Sequence, residues 1–137
     1  MTTTLSRFVQ PALLAAGFAF ALQGCLVTHD RHPGTGTLTV ESSIDGYADP
    51  VDCDVNRVDL LEVVIYDSAG HYYTEVNAPC EAFGVAIDLP DGVYGIDATL
   101  VDYSNRAATT TLALDGLDVY AGHNLVVPID FPPNSFF

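Results

Sequence analysis

Four aspartates and an asparagine crowd the stretch Asp45-Gly46-Tyr47-Ala48-Asp49-Pro50-Val51-Asp52-Cys53-Asp54-Val55-Asn56. Calcium takes roughly six to eight oxygen ligands, and carboxylates at Asp45, Asp49, Asp52 and Asp54 are of the right chemistry. Their spacing is not that of an EF-hand loop, whose ligands recur at alternate positions. Aspartate also favours turns, because its side chain bonds to nearby backbone. A chain with 18 acidic residues gathers such clusters readily. The expectation is a solvated loop with no cofactor, and calcium is the alternative. Catalysis finds less support. Histidine is the usual base of a catalytic triad, and neither His71 nor His123 sits in a nucleophile motif such as Gly-x-Ser-x-Gly. Carboxylate pairs for glycoside hydrolysis are defined by their separation, which a sequence does not reveal. The chain is expected not to be an enzyme. Tyr72, Tyr73, Tyr103 and Tyr120 are candidates for a sugar- or peptide-binding face, although tyrosine is equally a favoured strand residue.

The elements that would position these residues begin with a targeting segment. Met1–Arg7 is polar with one positive charge, and 8–22 is largely Ala, Leu and Phe. As a helix that apolar stretch spans roughly 22 Å, short of the roughly 30 Å hydrocarbon core. It reads as an export signal to be removed. Leu22-Gln23-Gly24-Cys25 closes it and resembles the lipobox of bacterial lipoproteins. The resemblance implies cleavage before Cys25 and lipidation of its sulfur, giving a signal peptide over 1–24 and a membrane partner through the acylated cysteine. Two or three acyl chains make such anchoring stable, where one is marginal. Leu26, not Asp, follows the cysteine, which by resemblance to enteric lipoproteins favours the outer membrane of a bacterial cell envelope. Residues 25–36 are polar and turn-rich and look like a tether. Its last eleven residues reach at most about 37 Å. His29 and His32 bracket Asp30 there, with solvated histidines expected in place of a metal site.

Beyond residue 24 the chain has three arginines (Arg31, Arg57, Arg106), no lysine and all 18 acidic residues; the net charge of the whole is −14. Such a surface repels nucleic acid, so no nucleic-acid partner is expected. Abundant Val, Leu, Ile, Tyr and Phe in alternating runs argue against disorder. Export would place Cys53 and Cys80 in an oxidising compartment, where an even pair is expected to bond. A metal or redox pair is the rival, but there is no Cys-x-x-Cys and no histidine nearby in sequence. Closing a loop of about 28 residues is worth roughly 3–4 kcal/mol.

From Thr37 the apolar residues recur with the period of half-buried strands. Leu38, Val40 and Ile44 share one face, as do Leu61, Val63 and Ile65. A turn at 67–70 leads to Tyr72, Thr74 and Val76, and then to Phe83, Val85, Ile87 and Leu89. Tyr94, Ile96, Ala98 and Leu100 follow, then Ala108, Thr110, Leu112 and Leu114, and last Leu125, Val127, Ile129 and Phe131. Seven strands and no helix of useful length predict an all-β domain over 37–137, a single antiparallel β-sandwich. Pro132-Pro133 stops the last strand, so Phe136-Phe137 is expected to be a short tail packing at the sandwich end.

Leu89-Pro90-Asp91-Gly92-Val93-Tyr94 is a Pro/Gly turn followed by a tyrosine at a strand start. It resembles the turn-and-tyrosine signature of immunoglobulin-like and prealbumin-like sandwiches, including fibronectin type III and carboxypeptidase-regulatory-like domains. The resemblance implies a buried ring whose hydroxyl bonds backbone at the corner. Taken together, these readings predict a lipid-anchored, non-catalytic envelope module that meets a protein partner. The alternative is a small-ligand binding protein taking calcium or a glycan.

Overall fold

Residues 34–137 are described by a computed structural model of the chain. The export signal, Cys25, Asp30, His29 and His32 lie outside the described residues. Seven strands form: β1 (Thr35–Ile44), β2 (Val58–Asp67), β3 (Tyr72–Pro79), β4 (Gly84–Pro90), β5 (Gly92–Asp102), β6 (Leu112–Val119) and β7 (Asn124–Phe131). They make an all-β two-sheet sandwich, one sheet ordered β4-β1-β7 and the other β3-β2-β5-β6. Side chains alternate across a strand, so every second residue turns inward. Leu38, Val40 and Ile44 meet Leu61, Val63, Ile65, Ile96, Ala98, Leu100, Ile129 and Phe131 in one core. Gly36 is buried where β1 passes the end of β6; an added Cβ would stand 2.3 Å from the Tyr120 carbonyl oxygen.

Three features depart from the sequence-based expectation. The sandwich is not wholly antiparallel, because β1 pairs with β7 in parallel, Leu38 opposite Leu125 and Ile44 opposite Phe131. Alternation reports which face a residue takes and is blind to the direction of the neighbour. The sixth strand lies further on than Ala108–Leu114. Ala108 is instead drawn to the end of β5, its N–H donating to the Leu100 carbonyl at 2.8 Å. A register shift opposite Gly95 then lets Leu117 and Val119 follow Leu112 and Leu114 inward despite the change of parity. Gly116 (φ +71) supplies the left-handed backbone that this bulge needs. The acidic loop also contains a short helix, α1 (Pro50–Val55). Asp49 caps it, accepting from the Val51 N–H at 3.0 Å, and Pro50 fills the first turn.

Two further expectations meet their residues directly. Cys53 and Cys80 form a disulfide with Cα atoms 6.0 Å apart, tying α1 to a 3-10 turn at Cys80–Ala82. Tyr94 is buried, and its hydroxyl donates to the Pro90 carbonyl at 2.9 Å, closing the corner. The immunoglobulin constant domain groups its first, second, fourth and fifth strands in one sheet. Here the first, fourth and seventh share a sheet.

Pairing sorts the connections into two ends. Thr35 faces Pro90, Asn124 faces Thr37, Gly92 faces Val119 and Asp67 faces Tyr94. The chain therefore enters β1 at the end that carries the β2–β3 turn, the Pro90–Gly92 corner and the Tyr120–His123 turn. The opposite end carries α1, the disulfide, the 103–111 connection and the C-terminal tail.

Candidate functional site

The four aspartates of the acidic loop take separate local roles. Asp45 (φ 51) and Gly46 form the turn after β1, where the Gly46 N–H donates to Asp130 at 2.7 Å. Asp49 is occupied as the helix cap. Asp52 and Asp54 follow on α1, and residues two apart on a helix do not face each other. Asp54 instead lies near Tyr103, where its charge helps raise the pKa of that phenol after desolvation. Among the described residues, no three His, Cys, Asp or Glu side chains gather in a way that holds a metal ion. His71 sits in the β2–β3 turn, Nδ1 3.4 Å from Asp67, and His123 lies in the turn before β7.

The tyrosines do not share one face. Tyr103 belongs to the end with α1, and Tyr120 follows β6 at the other. Tyr72 and Tyr73 are adjacent but divided by a register shift in β3. Tyr73 turns toward the core edge, its ring 5.6 Å from that of Tyr94 at 70°. Tyr72 stays outside, 63% exposed and opposite Tyr66.

Tyr66 leads to a site that the sequence did not disclose. It pairs with Tyr72 on β3 and with Gly95 on β5, and the Asp115 bulge of β6 stands beyond Gly95. Four strands at about 4.8 Å spacing set this row roughly 14 Å long across the outer face. Gly95 is its floor; a Cβ there would come 2.7 Å from Asp115 Oδ1, so the carboxylate leans over bare backbone. Around this row lies a cleft of about 660 Å³, with Tyr66, Val93, Asp97 and Asp115 among its walls. Partial desolvation, together with the hydrogen bond and charge of Asp97, raises the pKa of the Tyr66 phenol. The trough thus offers an aromatic face beside two carboxylates that only accept hydrogen bonds when ionised. That pairing suits a neutral polyhydroxyl ligand, whose hydroxyls donate while its C–H face lies on a ring. Only the positions paired across β2, β3, β5 and β6 bring the row together, and no local signal in the chain marks it.

One rim of the trough is the β2–β3 turn, held by Asp67. Its Oδ1 accepts from the Ala69 and His71 N–H groups, both at 2.9 Å. Asp102 does the same in the β5–β6 turn, accepting from Ser104 at 2.8 Å and Arg106 at 3.0 Å. The His71 amide in the first case, and the Arg106 amide in the second, lead the causes that lower these carboxyl pKa values. A depressed folded pKa contributes stability that is present above the unfolded value, about 3.9, and lost as pH falls through the folded one. Acidification also relieves repulsion within a chain of charge −14, so a global melt would blur the effect. The expected result is local: below about pH 4, amide exchange at Ala69, His71, Ser104 and Arg106 accelerates beyond the intrinsic pH trend. Unchanged protection of all four down to the acid limit of folding would contradict it.

No family model and no curated protein matches the chain. Among solved structures it is similar to the Bacillus anthracis TIE protein, at 18% identity and TM-score 0.44, over 72% of this chain and 17% of that one. It is also similar to a Bacteroides thetaiotaomicron protein thought to bind polysaccharide (14% identity, TM-score 0.42, 68% of this chain and 46% of that one). A Bacteroides ovatus protein thought to be an adhesin stands at 14% identity and TM-score 0.43, over 70% of this chain and 44% of that one. The chain spans less than half the length of each, and likenesses this distant carry no argument about a ligand.

Proposed function

We propose that this protein is a lipid-anchored, non-catalytic binding module of the bacterial cell envelope, and that its ligand is a glycan held in the Tyr66–Gly95–Asp115 trough. The anchor would be the acylated Cys25 after removal of residues 1–24, with 25–36 as tether and the outer membrane as the favoured site. A prealbumin-like sandwich suits the role, since a rigid double sheet presents a fixed outer face. Anchoring would confine the trough near the envelope surface and raise its effective concentration for glycans and neighbouring proteins there. The observation that carries the ligand assignment is the row itself, with an exposed tyrosine, a second tyrosine, a side-chain-free floor and flanking carboxylates.

The test is a neutral-oligosaccharide panel against the full chain, with Tyr66→Ala and Gly95→Ala beside it. Gly95→Ala is the more informative, because its methyl group meets the free end of Asp115 and leaves the core untouched. Loss of the Tyr66 ring is expected to weaken binding about tenfold or more, and the Gly95 methyl group to weaken it measurably at unchanged melting temperature. A panel with no binder, or binding indifferent to both substitutions, would remove the glycan assignment. The anchor is tested separately by labelled fatty-acid incorporation, expected in the natural chain and absent in Cys25→Ser.

A further inference from the structure

Among the described residues, Arg57 and Arg106 are the only lysine or arginine side chains, and both line one cleft of about 520 Å³. This cleft lies at the end of the sandwich remote from chain entry. Arg57 follows α1 in left-handed backbone (φ 58), its N–H donating to the Asp54 carbonyl at 3.1 Å. The disulfide holds α1, and so steadies the backbone from which this arginine projects. Among the described residues Arg57 makes no ion pair, whereas Arg106 grips Asp102, Nη2 to Oδ2 at 3.0 Å. The contact to Asp102 goes to one oxygen through Nε and Nη2. That leaves the rest of the Arg106 guanidinium facing outward.

The remaining walls set Asn56 and Asp102 beside the apolar Val55, Ala107, Ala108, Phe136 and Phe137. Val55 is 72% exposed and Phe137 86% exposed on the cleft rim. Phe137 is not a loose end, for its N–H donates to the Ala108 carbonyl at 3.1 Å and Phe136 bridges to Thr109. Two guanidinium groups beside a phenyl ring match a carboxylate carried on a flat, partly apolar body. The charge of the whole limits how many carboxylates are welcome. Asp102 answers one arginine, Asp54 and Asp59 stand toward Tyr103, and the chain as a whole carries −14. A polyanion would meet net repulsion, while a ligand with a single charge gains the arginines and little of the opposing field.

We propose that the Arg57–Arg106 cleft binds the carboxylate of a single hexuronate borne on an otherwise neutral oligosaccharide. The guanidinium of Arg57 forks onto the carboxylate, Arg106 adds a second donor, and the pyranose lies against Phe137. This site is separate from the trough and does not depend on it.

The experiment titrates the full chain with a neutral xylo-oligosaccharide carrying one glucuronate, with the same sugar after reduction of its carboxyl to an alcohol, and with a trigalacturonate. The mono-acid is expected to bind, and the reduced form about tenfold or more weaker, as losing a charge-assisted hydrogen bond requires. Arg57→Gln is expected to lose a similar factor. Arg57→Lys is expected to recover part of it, because it keeps the charge without the fork. Tyr66→Ala is expected to leave the difference in binding between the mono-acid and its reduced form unchanged, which separates this cleft from the trough. Trigalacturonate is expected to trail the mono-acid at low salt. No binding by the mono-acid, equal binding by the reduced sugar, or indifference to Arg57→Gln would each overturn the proposal.

Discussion

Phe131→Ala is expected to bring the domain to the edge of unfolding. Phe131 is fully buried, the largest side chain to be so among the described residues, at the end of β7. Its backbone carries the last parallel pair with Ile44, and its carbonyl accepts from the Asp45 N–H at 3.1 Å. The ring therefore fills the core at the point where β1 and β7 are joined. Truncation removes its transfer energy and leaves a cavity that rigid sheets collapse into poorly, a loss of about 3–5 kcal/mol. Domains of this size hold about 5–15 kcal/mol in all. The melting temperature should fall by more than about 12 °C, read by far-ultraviolet circular dichroism. Phe131→Leu, which refills most of the space, should fall much less. A shift of only a few degrees in the alanine variant would mean that the β1–β7 seam does not close the core.

Removing the disulfide should act nearly as strongly, and unevenly across the molecule. Cys53 and Cys80 are 27 residues apart, and releasing that loop is worth roughly 3–4 kcal/mol. The local loss is greater than the average, because α1 has only six residues. Isolated helices shorter than about 12–15 residues are marginal in water, so α1 depends on Cys53, Asp49 and Pro50. In Cys53→Ala/Cys80→Ala, exchange protection over 50–56 should vanish first, with the Arg57 cleft disordered alongside. The trough lies toward the other end of the four-stranded sheet and should keep its ligand while the sheet persists. Equal melting of reduced and oxidised protein, or loss of both sites together, would count against this division.

The inward faces of the strands were legible in the chain, and for a local reason. A pleat turns each successive side chain over, so Leu61, Val63 and Ile65 declare their shared face without reference to any partner. The same holds at the corner, where Pro90, Asp91 and Gly92 make the turn that sets Tyr94 four residues from its acceptor. The helix that Asp49 caps and Pro50 starts reads in the chain as a solvated loop, because the acidic cluster around it suggests turns. Other features were decided only in three dimensions. Residues far apart must pack before β7 can choose β1, and the choice of a parallel neighbour leaves no mark on alternation. The bulge at Gly116 reverses the parity of β6, so the even-numbered pattern of Ala108–Leu114 does not carry on to Leu117 and Val119. Tyr66, Gly95 and Asp115 belong to three strands, and Arg57 and Arg106 to two connections; each set meets because sheet register places it. Local sterics write the pleat and the turn into neighbouring residues, whereas register is settled by burying both sheets at once.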